Sequence, residues 1–260
     1  MTGGPGTGYT IKALHYGTQP VPGAQVFFQY KFDQWQDFYY YAFLLEGNGQ
    51  KILVDTGMDE LGGFYDLVEE ALGSKGVPRL VVPLTDLLRL QGVQPQDVDA
   101  ILVTHFHADH VWNLDKFPNA DIYISEPGWN ALRSLRQELP EMTPDPLYPT
   151  HALEFVEREM GTRVHLLKDG STPFPGIEIK HLGGHSIDMT GYTVDTSQGR
   201  AVMPMDTVWT YANLEQGRPP GLAVDIPACM RAQKWVQEAG DFMIPGHDPL
   251  LLDRYVEGVI

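Results

Sequence analysis

The sequence predicts a layered α/β sandwich, with two sheets packed face to face and helices outside. Three observations carry this. Short segments of strand character fall into two runs along the chain, and each run gives way to segments of helical spacing. Nothing between the halves reads as a linker, so residues 1–260 are expected to form a single domain. Hydrophobic residues make up 43% of the chain, enough to fill a substantial core at this length.

The elements follow in order. Residues 1–8 (Met-Thr-Gly-Gly-Pro-Gly-Thr-Gly) have neither a basic start nor an apolar run, so they read as a flexible end and not as a signal peptide. Tyr9–Tyr16 and Phe38–Leu45 are rich in aromatic residues and read as strands. Lys51–Val54 is a short apolar strand that stops at Asp55-Thr56-Gly57. Glu60–Leu72 and Leu84–Leu90 have helical spacing. Ala100–Val103 is an apolar strand, and Asp121–Ile124 is another, followed by a helix over Pro127–Leu135. The four prolines between Pro140 and Pro149 mark a loop. Arg163–Leu167, Ile177–Leu182, Gly191–Val194 and Ala201–Met205 read as strands, Pro227–Ala239 as a helix and Phe242–Ile244 as a last short strand.

Composition narrows the functions. The formal net charge of −16 repels phosphate backbones and anionic lipid, and no Lys/Arg run offsets it, so neither a nucleic-acid nor a membrane partner is expected. No stretch is apolar for long enough to span a bilayer. The single cysteine, Cys229, excludes an intrachain disulfide and sits in a helical pattern as a small buried residue. A cytoplasmic location is the expectation.

The chemistry is concentrated in Thr104-His105-Phe106-His107-Ala108-Asp109-His110. His105 and His107 are two apart, so an extended backbone turns both rings to one side. Asp109 and His110 follow where the strand gives way to a loop or helix, and there they can address a neighbouring position. Imidazole and carboxylate donors suit zinc and similar divalent ions. Further candidates sit where apolar strands stop: His185 after Gly183-Gly184, Asp206 after Ala201–Met205, and His247 after Pro245-Gly246. All could meet at one sheet edge. His15, His151, His165 and His181 fit no such position and read as structural or exposed.

Val54-Asp55-Thr56-Gly57, His105-Phe106-His107-Ala108-Asp109-His110, Gly184-His185, Asp206 and Pro245-Gly246-His247 resemble the five ordered motifs of the metallo-β-lactamase fold superfamily. The resemblance implies an αβ/βα four-layer sandwich holding two divalent metal ions of the zinc class. It implies that one ion is held by His105, His107 and His185, and the other by Asp109, His110 and His247. Asp206 would bridge them, and Asp55 would orient the ligand loop from behind. The implied reaction is attack of a metal-bridging hydroxide on a carbonyl, made available at neutral pH by two ions about 3.5–4 Å apart. Asp109 would be the catalytic proton carrier, moving the hydroxide proton to the leaving atom.

Within that superfamily the chain is most similar to the N-acyl homoserine lactonases and related small-molecule lactonases, whose members suggest a homodimer. Two departures bear on the substrate. Those lactonases usually place a tyrosine three residues after the bridging aspartate. Here that residue is Trp209, with Tyr211 two further on. Trp112 stands where a glycine is common. With the aromatic segment Phe27–Trp35, read either as a loop over the site or as a dimer surface, these residues favour an aromatic ring substrate over a long acyl chain. The expected activity is opening of a cyclic ester or cyclic amide. Benzoxazolinone-type lactam or cyclic carbamate hydrolysis is the alternative, and a mononuclear iron sulfur dioxygenase is the alternative of another class. Trp209, Tyr211 and Trp112 are the candidate substrate contacts.

Overall fold

The computed structural model describes residues 8–58 and 62–260. The reading of residues 1–7 as a flexible end, and the start of the helix expected from Glu60, lie outside them.

The first run forms six strands: β1 (Thr10–Pro22), β2 (Trp35–Gly47), β3 (Gln50–Val54), β4 (Ala100–Leu102), β5 (Asp121–Ser125) and β6 (Val164–Leu167). They lie side by side in chain order, antiparallel from β1 to β3 and parallel from β3 to β6. The second run forms β7 (Ile177–His181), β8 (Thr190–Thr196), β9 (Gly199–Met205) and β10 (Phe242–Pro245), in the order β10-β9-β8-β7. Here β7, β8 and β9 are antiparallel, and β10 runs parallel to β9.

Alternation along the strands explains the layering. Phe43 and Leu45, Ile52 and Val54, and Ala100 and Leu102 face the second sheet and pack with Ile179, Tyr192, Val194 and Met203. The residues between them, Ala42, Leu44, Leu53 and Ile101, point the other way, onto Leu84, Leu88, Trp129, Leu132 and Val156 of the helices. Helix Glu126–Glu138 starts where Ser125 accepts the backbone N–H of Gly128 at 3.2 Å. Helix Ile226–Ala239 starts the same way on Asp225, which accepts from Ala228 at 2.9 Å.

β1 runs six residues beyond the expected Tyr16, through Pro20 and Pro22. A sheet edge tolerates this, because proline's missing N–H then leaves no ladder bond unmade. A bulge between His15 and Gly17 shifts the register on the way. Helix Thr150–Glu159 was not expected. Its buried Ala152, Leu153, Phe155 and Val156 have helical spacing, but the signal is short and follows directly on the proline-rich loop.

Candidate metal centre

The ends of four strands and one inter-strand loop converge at one edge of the sandwich. β3 delivers Asp55, β4 delivers residues 103–110, the β7–β8 loop delivers His185, β9 delivers Asp206 and β10 delivers His247. The backbone is specialised there. Asp55 and Met205 have φ of 63° and 47°, a region that non-glycine residues rarely adopt and that here aims Asp55 and Asp206 inward. Gly184 has φ of 96° and lies so close to Cys229 that an added Cβ would come within 2.7 Å of Sγ. Only glycine lets His185 reach its place.

The seven sequence-predicted ligands are all buried and all meet. Their donor atoms fall into three overlapping groups, each spanning at most 4.8 Å: His105, His107 and His185; Asp109, His110 and His247; and His105, His110 and Asp206. Asp206 joins the sets. Its Oδ1 is 2.8 Å from His247 Nε2 and 3.5 Å from His110 Nε2. Its Oδ2 is 3.4 Å from His185 Nε2 and 3.9 Å from His105 Nε2.

The outer partners of the histidines fix their tautomers. His185 Nδ1 donates to Leu222 O and His247 Nδ1 to Tyr39 O, both at 2.7 Å. His110 Nδ1 donates to Asp55 Oδ2 at 2.7 Å. Thr104 gives its one hydroxyl proton to Asp55 Oδ2 at 2.8 Å, so His105 Nδ1, 3.1 Å from the same hydroxyl, must donate to it. Four imidazoles therefore commit Nδ1 outward and aim Nε2 inward. His105 Nε2 and His185 Nε2 both stand 3.0 Å from His107 Nδ1, where one proton cannot satisfy all three. His110 Nε2 is buried with no hydrogen-bond partner. Ring nitrogens and carboxylates converging in this way are what a divalent metal site requires.

The electrostatics agree. Burial, reinforced by neighbouring histidines, holds His105 well below the ordinary histidine range and lowers His107 to about 3. Burial also lowers His185. Burial pushes Asp206 up, but His247 and His110 more than reverse it and leave the carboxyl well below its usual range. Burial lowers His110, and Asp109, Asp206 and Asp55 together outweigh that and hold it well above the ordinary value.

The centre opens on a cavity of about 390 Å³. His107, Asp109, His185 and Asp206 form its floor, with Trp209, Phe38 and Tyr40 beside them. Part of the lining is an aliphatic wall, built by Leu67, Val68 and Leu72 of helix Gly62–Leu72, and Leu147 and Met142 add to the apolar lining. Tyr16, whose hydroxyl donates to the carbonyl of Asp109, braces the loop from behind. Sequence reading expected this helix but missed that it faces the cavity, and it missed the role of Tyr16, because strand and helix periodicity says which residues are apolar and not which face a site.

The candidate substrate contacts divide. Trp209 is on the cavity wall, but its indole N–H is spent on Asp206 Oδ2 at 3.1 Å. Trp112 is not on the wall. It caps the short helix Ala108–Val111, and two residues of helix carry it to the face opposite His110, where its ring packs on His151 at 4.7 Å. Tyr211 is not on the wall either. Thr210 caps a new helix there, and Tyr211 turns under Arg254 and into the core between the sheets. In the segment Phe27–Trp35, Phe27 is buried, Tyr30 lies against Arg218 and Trp35 against Lys75, and none of its residues lines the cavity. His15, His151, His165 and His181 belong to none of the ligand groups. Cys229 is buried behind Gly184, and burial pushes its thiol up to about 12.

Similarity to known proteins agrees with this geometry. An N-acyl homoserine lactonase of Bacillus thuringiensis is 24% identical over 218 residues, covering 80% of each chain. The metallo-beta-lactamase domain-containing protein 1 of Mus musculus is 28% identical over 193 residues, covering 72% of this chain and 64% of that protein. A solved N-acyl homoserine lactone hydrolase, with the product N-hexanoyl-L-homoserine at its catalytic metal centre, superposes with a TM-score of 0.79 at 19% identity, covering 98% of this chain and 100% of that one. A dizinc quorum-quenching lactonase superposes with a TM-score of 0.65 at 16% identity, covering 98% and 90%. The superfamily's own sequence model matches residues 35–197, the stretch that carries Asp55, the histidine cluster and His185. Motif order, two-sheet fold and family match coincide, and the chain belongs to the metallo-beta-lactamase superfamily.

Proposed function

We propose that this chain is a two-metal hydrolase that opens the ring of a small lactone carrying an apolar substituent. The observation that carries the reading is Asp206, whose two oxygens face two separate ligand groups at the floor of one apolar cavity. His105, His107 and His185 would hold one ion and Asp109, His110 and His247 the other, with Asp206 between them. When bound, two such ions, with zinc as the expected metal, supply a hydroxide nucleophile at neutral pH and polarise a carbonyl.

The chain's own residues do the rest. Asp109 reaches the cavity and is the carboxylate placed to carry a proton from the attacking oxygen to the departing ring oxygen. The aliphatic wall from Leu67 to Leu72 excludes water and accepts a flexible apolar tail. The homoserine lactonases among the relatives support a lactone as the cyclic ester. The expectation of an aromatic substrate rested on Trp209, Trp112 and the segment Phe27–Trp35, and of these only Trp209 lines the cavity. One observation keeps an aromatic lactam or cyclic carbamate as the second reading: Phe38 and Trp209, edge to face at 4.8 Å, flank the floor. A mononuclear iron dioxygenase fits less well, since it leaves the Asp109, His110 and His247 group without a purpose. One domain, a cytoplasmic location and a homodimer complete the reading.

The test is a panel of acyl homoserine lactones, plain γ-lactones and aromatic lactams or carbamates, assayed with and without a chelator. Chelator-sensitive opening of acyl lactones, faster with longer tails, supports the first reading. Turnover of the aromatic lactams or carbamates alone supports the second, and oxygen consumption without ring opening contradicts both.

A further inference from the structure

The two oxygens of Asp206 differ in one respect beyond their facing groups: Oδ2 also receives the indole N–H of Trp209 at 3.1 Å. The neighbouring histidines are different donors. His105, His110, His185 and His247 all commit a ring proton to an outer partner through Nδ1, and the Nε2 each turns toward Asp206 donates only when the ring carries a second proton. The indole is donor-only and never gives up its proton in the accessible pH range. Its hydrogen bond to the carboxylate therefore depends on no titrating proton, unlike the 2.8 Å contact of His247 Nε2 with Oδ1.

The donor is rigidly held. Trp209 is 2% exposed, and its ring meets Phe38 edge to face and packs near His185 and His247 at 5.6 and 6.1 Å. A turn over Met205–Val208 is closed by the N–H of Val208 on Met205 O, and the carbonyl of Trp209, the next residue, accepts the backbone N–H of His247 at 2.9 Å. One residue thus ties together the strand ends that deliver Asp206 and His247.

We propose that Trp209 is a positioning residue of the metal centre, whose indole N–H holds Asp206 in the orientation that spans the two ligand groups. The proposal rests on the two-ion reading above. It has a consequence for the two groups. The group that Oδ2 faces is all histidine and depends on Asp206 for its only negative charge, while the other group has the carboxylate of Asp109. The ion at His105, His107 and His185 is then the more loosely held of the two, and the first that a chelator removes. The proton of Trp209, engaged by Asp206, is not offered to a substrate carbonyl, so this residue meets a substrate only through its ring.

The experiment replaces Trp209 in two ways. Trp209→Phe removes the N–H and part of the ring. Incorporation of benzothienylalanine at the same position keeps the bicyclic ring and exchanges only the N–H for sulfur. Zinc affinity is measured against a chromophoric chelator, and the visible spectrum is recorded on the cobalt-loaded protein. The expected result is that both replacements weaken the looser ion, by roughly 10–100-fold, and both alter the cobalt spectrum. Wild-type affinity and spectrum in the benzothienylalanine protein overturn the proposal, whatever Trp209→Phe does, because ring packing alone would then explain the residue. Wild-type protein that takes up fewer than two ions overturns the two-ion reading itself, and this proposal with it.

Discussion

Asp55 Oδ2 lies 2.7 Å from His110 Nδ1, and both residues are completely enclosed. The same carboxylate accepts the backbone N–H of Thr104 at 2.9 Å and its hydroxyl at 2.8 Å. It therefore locks the start of the histidine loop and the ring of a ligand near its end. In Asp55→Asn one of these acceptors becomes a donor facing a donor. Metal affinity is expected to fall by roughly 10–100-fold, and the unpaired buried group to cost about 1–3 kcal/mol of stability. Chelator competition and thermal unfolding read the two effects separately. An Asn variant with unchanged metal affinity would refute the orienting role.

Acid should destabilise the metal-free protein. His105, His107 and His185 have lowered folded-state values, His107 at about 3. Below about 6.5 the unfolded chain takes up protons that these folded rings refuse. Their contribution to stability is complete above that pH and declines as pH falls toward the folded values, by up to about 1.4 kcal/mol per pH unit for each ring. His110 is raised and works in the opposite direction: its contribution is complete below about 6.5 and is lost as pH rises through its elevated value. Three ligand rings against one, with His15 and His181 lowered as well and the raised carboxyls of Asp55 and Asp188 opposing them, give a net loss from pH 7 to pH 5. Denaturant titrations of the metal-free chain at those two values should show it, and equal stability at both would contradict the assignment.

Asp109 faces the cavity, with its Oδ2 3.3 Å from His110 Nε2. Asp109→Asn keeps the shape and an oxygen donor but cannot carry a proton. Partial metal binding and a drop in kcat of roughly 100-fold or more are expected. Full turnover in this variant would remove the proton-transfer role.

Tyr211 has a buried hydroxyl without a hydrogen-bond partner and lies off the cavity. Tyr211→Phe removes an unsatisfied group, so stability should stay the same or rise by up to about 1 kcal/mol. KM and kcat should not move. A selective rise in KM would show that this hydroxyl reaches the substrate.

Much of this was legible in the chain. Most strands were marked by apolar or aromatic runs, and the ligands by polar residues at or just beyond the ends of such runs, because a buried strand has to stop where its apolar residues do. The ligands could be grouped only because strand ends that are distant in sequence share one sheet edge. The directions of single side chains were not legible. Trp112 and Tyr211 each sit within two residues of a site residue or another cavity residue, yet a short helix turns each away. Trp209 was placed near the site, but its partner, Asp206, follows from a turn geometry that residue types do not encode. The aliphatic wall went unseen because the spacing of Phe64, Val68 and Leu72 marks a helix face without saying what it faces.

The count of divalent ions bound per chain bears most directly on the two-metal centre. Metal-free protein titrated with zinc, then freed of loose metal and analysed by mass spectrometry of the elements, should hold two ions per chain, and His110→Ala should hold fewer. One ion or none at saturation in the wild-type protein would contradict a centre in which Asp206 joins two occupied ligand groups.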